Sequence, residues 1–521
     1  MPENPPRAIP IILFLCIAAH AAVTLTYAIT QHYELKTFGI DGMAVVQLMH
    51  NVIHGKGLTT SLAAPFVPQH WFGFHFSPIL YLIVPFYYLF PHIETLLALG
   101  SIAVALAAWP LYLTAKTILE NSSRALLFAL LYLINPFVFN GVLHDFHEVD
   151  FAPLCIATML WATVHHKRTI LIGLSIVLMC IKEHYGLSVA GFGLLWAWQW
   201  REAKFGLSVA AFGVTVLCVL LLIVIPHLSP MGMPTMLAES TTSLSAHRYS
   251  WLTTREGIES HLPALETEWL LYALKLFLPF IFMPLAAFMW LLPAIADVSA
   301  NALSTEGMMR ITHSYHTIAV IPVIIIACCQ TIKKYVRKKK IKDAMLEIVV
   351  ASLCFSCLYL NLPTYEMGRN LWELTSPRFD YTPENRDSID AINRLIPEDA
   401  SVSAQANILP QLKPRFSMVP YPLVQNASFV VLNFSLPFTY ALSVLGVPFG
   451  TASDNYFSHT ENLMHDPQWG VIYYSNRWLV MQKNTPDKAN ARQAASEGLI
   501  KLKEESQDVG KNIQKSHQKP S

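Results

Sequence analysis

Apolar runs of lipid length, separated by short polar knots, set the pattern of the chain up to about residue 361. They recur near 9–29, 95–115, 124–142, 150–165, 169–182, 186–200, 206–226, 267–283, 284–300, 316–330 and 345–361. A helix rises about 1.5 Å per residue, so about 20 residues cross a hydrocarbon core of roughly 30 Å. The pattern predicts an all-α polytopic membrane protein of about 11 transmembrane helices over residues 1–361. The run at 9–29 lacks a small-x-small cleavage site and reads as a retained anchor. The stretch FSPILYLIVPFYYLF, 76–90, holds Pro78 and Pro85 and is too short to cross, so a juxtamembrane or re-entrant helix is expected there.

After about Leu362 the pattern changes to short β-branched and aromatic pieces: ASVSAQ (400–405), RFSMVP (415–420), ASFVVLNF (427–434) and WGVIYYSNRWLVMQ (469–482). The last has a hairpin signal at Ser475-Asn476, and NRDSIDAINRLI (385–396) reads as a helix ahead of the first strand. A small α/β domain over 362–483 is expected, followed by a disordered polar tail, 484–521.

Composition agrees with the lipid reading. The chain has 521 residues, 53% hydrophobic and only 14% charged, against about 25% in ordinary soluble domains. Its mean hydropathy is +0.40. The net charge of +1 says nothing about partners, and the lack of a basic, aromatic-laced stretch argues against nucleic acid. All eight cysteines sit in apolar stretches and read as small buried hydrophobes, the Cys354-x-x-Cys357 pair included. Short Lys/Arg-rich loops mark the cytoplasmic side, most strongly KKYVRKKKIK, 333–342. By parity, loops 30–75, 143–149, 183–185 and 227–266 and the chain after 362 are expected outside.

Candidate chemistry gathers in those outer loops. In FGIDGMAVVQ, Asp41 opens an amphipathic helix, either as its N-cap or as a general base at the membrane surface. VLHDFHEVDFAP packs His144, Asp145, His147, Glu148 and Asp150 between two apolar runs. Asp145, His147 and Glu148 are candidates for a divalent metal ion or for acceptor hydroxyls, or they form a wet loop. Lys182, Glu183 and His184 in KEHYG either tie helix ends together or meet a phosphate. His313, Tyr315 and His316 in THSYHT, and His75 in FGFHFSP, fit an interfacial belt or hydrogen bonds to a sugar or lipid phosphate. No phosphate-binding loop, dinucleotide fingerprint or HExxH is present in a believable context.

Taken in order, FGIDGMAVVQLMHNVIHGKGLTTS, GFHFSPILYLIVPFYYLF, LYLINPFVFNGVLHDFHEVDFAP, IKEHYGLSVAGFGL, HSYHTIAVIPV and IPEDASVSAQANILPQLKPRFSMVPYP resemble DUF2079, a family of predicted bacterial membrane proteins. That family looks like a branch of the GT-C superfamily of polytopic glycosyltransferases. The resemblance implies a GT-C-like membrane domain, a polyprenyl-phosphate sugar donor, and Asp41 as the first-loop carboxylate. It implies a multi-pass protein of the bacterial plasma membrane. Two positions depart from the family pattern: Val46 stands where a second acid is expected, and His184 replaces the acid of a KED triplet.

The expectation is therefore a membrane glycosyltransferase that moves a sugar from a polyprenyl-phosphate carrier to an unknown acceptor on the outer face. Asp41 would be catalytic. His75, Lys182, Glu183, His184, His313, Tyr315 and His316 would bind substrate or phosphate. A transporter or lipid flippase, for which Asp297 is the main deep acid, and a non-catalytic scaffold are the alternatives.

Overall fold

The structure is a computed structural model describing residues 8–35, 37, 39–63, 65–143, 145–234, 249–312, 314–336, 348, 352, 383–424, 426–435 and 449–517. It is mostly helical. Two compact units emerge, one from Met1–Gln31, Trp71–Ala238 and His247–Arg378, the other chiefly from His32–His70 and Phe379–Ser521. The expected boundary at 361/362 missed that an early loop folds with the C-terminal stretch.

In the first unit, five helices among the described residues are long and apolar enough to cross a membrane: Ala8–Tyr33, Ile93–Leu119, Ala203–Leu228, Met283–Leu303 and Tyr315–Lys334. The other expected spans are shorter or interrupted. Ala152–Val164 and Arg168–Met179 have 13 and 12 residues, and 12 residues reach about 18 Å. Pro136, which cannot supply a helix N–H, separates Ser122–Leu133 from Pro136–Gly141. Arg255–Phe277 carries Glu256, Glu259 and Glu268 along its length. The run 345–361 falls almost wholly outside the described residues. The proline-bearing stretch 76–90 forms Pro78–Leu82 and Val84–Leu89, both too short to cross, with Leu82, Phe86 and Tyr88 exposed.

One hairpin shows how the bundle packs. Tyr185–Trp200 and Ala203–Val219 approach through paired glycines. A Cβ at Gly186 would meet the Gly213 carbonyl oxygen at 2.6 Å, and one at Gly193 would meet the Gly206 carbonyl oxygen at 2.5 Å. Small residues let two helix backbones touch where lipid offers no hydrophobic drive.

The second unit is built on a five-stranded sheet in the order β4-β3-β5-β7-β6. Its strands are β3 (Val402–Ala404), β4 (Met418–Pro420), β5 (Phe429–Asn433), β6 (Trp469–Ser475) and β7 (Trp478–Lys483). β3 runs parallel to both β4 and β5, and β7 is antiparallel to β5 and β6. The β6–β7 turn uses Asn476 and Arg477, both at positive φ, as a tight hairpin demands. The early loop contributes a short ladder of β1 (Thr59–Thr60) and β2 (Gln69–His70). Ser61 Oγ ties it to the sheet by donating to the Met418 carbonyl oxygen at 2.6 Å. Gln47, from the helix Ile40–Ile53, donates to the Arg415 carbonyl oxygen at 2.8 Å.

The expected disordered tail instead carries the helix Ala491–His517. Ala495, Leu499 and Leu502 are buried in the core with Val430, Leu432 and Val471. Their spacing of four and three residues is one helical face, which the polar bulk of the segment conceals.

Candidate functional site

The apolar helices of the first unit bring most of the sequence candidates into one cluster. The turn between Arg168–Met179 and Tyr185–Trp200 carries Lys182, Glu183 and His184. Each side chain takes a different partner. Lys182 Nζ lies 3.2 Å from Glu148 Oε1. Glu183 Oε1 lies 3.0 Å from His75 Nδ1, and its Oε2 accepts the Phe76 N–H at 3.0 Å. His184 Nε2 lies 3.0 Å from Asp297 Oδ1. The loop before Pro78–Leu82 is pinned to the same turn, where the Ile79 N–H donates to the Cys180 carbonyl oxygen at 2.9 Å.

Glu148 opens the single helical turn Glu148–Phe151, which His147 and Asp150 close reciprocally as a capping box. The His147 ring stacks on Tyr315 at 3.5 Å between centroids, and Tyr315 stacks on His316 at 4.0 Å. Tyr315 is close enough to Lys182 to be felt electrostatically. Asp145 is buried in the same loop. His144 and His313 lie outside the described residues.

Charge in the cluster is decided by competition. Burial by itself would raise Glu183, but His75 beside it and then Lys182 outweigh burial and hold it at about 2. Burial likewise opposes the charge on Glu148, and Lys182 and His75 bring it below its ordinary value. For His75, burial and then Lys182 lower the value and Glu183 only partly restores it. A carboxylate can only accept, so neutral His75 carries its proton on Nδ1 and donates to Glu183.

The pairs share an asymmetry. The Lys182 side chain is 12% exposed against 5% for Glu148, and His184 is 27% exposed against 8% for Asp297. The donor is thus the more accessible member and the carboxylate the deeper one. In each pair the deeper carboxylate holds its donor in place. The metal reading of Asp145, His147 and Glu148 gains nothing from this. Among the described residues no group of three or more His, Cys, Asp or Glu is arranged to hold a metal ion. Glu148 is engaged by Lys182.

Asp41 belongs to the other unit. It is exposed on the first turn of Ile40–Ile53 and is not the N-cap. That position falls to Gly39, whose φ of +83° suits glycine. A carboxylate in a first turn still meets the positive end of the helix dipole. The sequence marks Asp297 only as the main deep acid of a transport reading. Its role as partner to His184, 113 residues away, has no local signal in the sequence.

Among curated proteins none matches the sequence. Among solved structures, the chain is similar to ArnT from Cupriavidus metallidurans bound to undecaprenyl phosphate. That match has 13% identity and a TM-score of 0.49, covering 89% of this chain and 97% of that one. The apo state of the same protein is similar at 11% identity and a TM-score of 0.48, covering 88% and 97%. The model of the family described as predicted membrane protein (DUF2079) matches residues 31–438. With most of its length inside that match, the chain belongs to DUF2079.

Proposed function

We propose that this membrane protein transfers a sugar from a polyprenyl-phosphate carrier to an acceptor outside the cytoplasm of a bacterial cell. The observation that carries the reading is the set of carboxylate-paired donors in the first unit. Lys182 and His184 are each the more exposed member of a pair whose carboxylate is buried. A lipid phosphate keeps its tail in the bilayer, so its headgroup must be met by cationic and N–H groups at the ends of apolar helices.

In this reading the acceptor hydroxyl gives its proton to Asp41. Its oxygen attacks the anomeric carbon as the bond from that carbon to the phosphate oxygen breaks, and polyprenyl phosphate leaves as the anion. Lys182, with His184 and the Tyr315–His316 edge, stabilises the departing charge. Glu148, Glu183 and Asp297 act through the donors they orient. His75 fixes Glu183. The inner membrane is the setting, with the sheet-bearing C-terminal unit and Asp41 on the extracytoplasmic side, as the basic loops suggest.

A transport reading would lean on isolated ionisable groups within spans. Here Asp297, the acid it would need, is paired with His184. The test of the chemistry is Asp41→Asn, which keeps shape and removes the base. Transfer from a polyprenyl-phosphate sugar should fall at least about a hundredfold, within the range that general-base catalysis supplies. Unchanged transfer by a folded variant would remove Asp41 from the mechanism.

A further inference from the structure

The sheet of the second unit carries an arrangement that the reaction above leaves unused. β3 lies between β4 and β5 and runs parallel to both. The chain leaves β3 for a neighbour on one side and later returns as a neighbour on the other. In open parallel sheets, connections that diverge in this way leave a crevice at the carboxyl ends of the strands.

The residues at that edge are amides. Gln405 and Asn407 follow β3, and Asn433 ends β5. They are fixed by their own bonds. Gln405 Oε1 accepts the Asn433 backbone N–H at 2.6 Å, and Asn433 Oδ1 accepts the Ser435 N–H at 2.9 Å. Asn407 Nδ2 donates to the Leu35 carbonyl oxygen at 3.2 Å. One donor and one acceptor remain. Asn433 Nδ2 and Asn407 Oδ1 are buried without a hydrogen-bond partner, in side chains of residues only 3% and 6% exposed. Folded proteins rarely leave such atoms unsatisfied, and each is a place where a ligand gains what the fold has left over.

Gly39, two residues before Asp41, is brought to the same edge. A Cβ at Gly39 would lie 2.2 Å from the Ala406 carbonyl oxygen, so the start of Ile40–Ile53 sits directly on the residues that follow β3. Asn433 Nδ2 and Asn407 Oδ1 supply one donor and one acceptor and no formal charge, which matches a hydroxyl-bearing ligand and not a phosphate or carboxylate.

We propose that the carboxyl edge of β3 and β5 binds a neutral polyhydroxyl ligand, a sugar ring, as the acceptor. The acceptor role rests on the reading of Asp41 as the base. The ligand class rests on the amides alone.

The full chain in phospholipid nanodiscs, free of glycoside detergent, is the sample. Saturation-transfer difference NMR is run with methyl glucoside, methyl galactoside and N-acetylglucosamine as probes. At least one probe should receive saturation from the wild type. The signal should fall about fivefold or more in Asn433→Asp, which keeps the oxygen that accepts from Ser435 but loses the free donor. It should also fall in Asn407→Ala, which loses the free acceptor. Thermal midpoints close to wild type certify each variant. Silence from all three probes, or a signal untouched by both asparagine changes, overturns the proposal. Sugar binding without any glycosyl transfer would leave this inference standing and remove the reaction. Transfer indifferent to both asparagine variants would do the reverse.

Discussion

Lys182 and Glu148 show what single residues contribute. Taking two charges out of water is costly, and removing one partner leaves the other buried and uncompensated. Lys182→Met should cost about 3–5 kcal/mol, read as a fall in the thermal midpoint in nanodiscs, and adding Glu148→Gln should restore most of it. A double variant as unstable as the single would deny the pairing at 3.2 Å. Glu183 gives a pH signature. Its folded value, near 2, lies below the ordinary 4.5. Its contribution is therefore complete above pH 4.5 and is lost as pH falls toward 2. Thermal midpoints between pH 7 and pH 3 should drop less steeply in Glu183→Gln than in wild type. At this scale the sequence made the concentration of charge visible, because ionisable residues stand out between apolar runs. It did not reveal the pairings. His75 and Glu183 are 108 residues apart, and no local periodicity links them.

Among elements, close backbone approach is the recurring device. The hairpin of Tyr185–Trp200 and Ala203–Val219 depends on Gly186 against Gly213 and Gly193 against Gly206. Gly193→Val should force these helices apart and displace the Lys182–His184 turn that precedes them. Cysteine accessibility at Cys180 in that turn should rise, and an unchanged labelling rate would count against the coupling. Gly39→Ala should destabilise the second unit by more than about 1 kcal/mol, since φ is +83° and the added carbon meets Ala406. Strands were readable from β-branched and aromatic runs, and β6 and β7 fall where the hairpin signal stands. Helix lengths were less readable. Apolar character marks burial in a bundle as well as contact with lipid, so Ala152–Val164 and Arg168–Met179 looked like full spans while having 13 and 12 residues. The helix Ala491–His517 escaped notice because, among the described side chains, its buried face is Ala495, Leu499 and Leu502 in a lysine-rich segment.

For the whole molecule, composition already separated this chain from soluble proteins, and the ordered motifs carried the family, which the match over residues 31–438 shows. The division into units was hidden, because His32–His70 joins a sheet formed more than three hundred residues later, through bonds such as Ser61 to Met418 (357 residues apart). The proposed reaction requires that the first unit meet a lipid phosphate with Lys182 and His184. Native mass spectrometry of the protein released from phospholipid nanodiscs, supplied with polyprenyl phosphate, tests it most directly. A carrier lipid should be retained by the wild type and lost or weakened at least about tenfold in the double variant Lys182→Met with Glu148→Gln, since a charge-assisted bond is worth about 1.5–3 kcal/mol. Phospholipid alone on the wild type, or equal retention by that folded double variant, would contradict it.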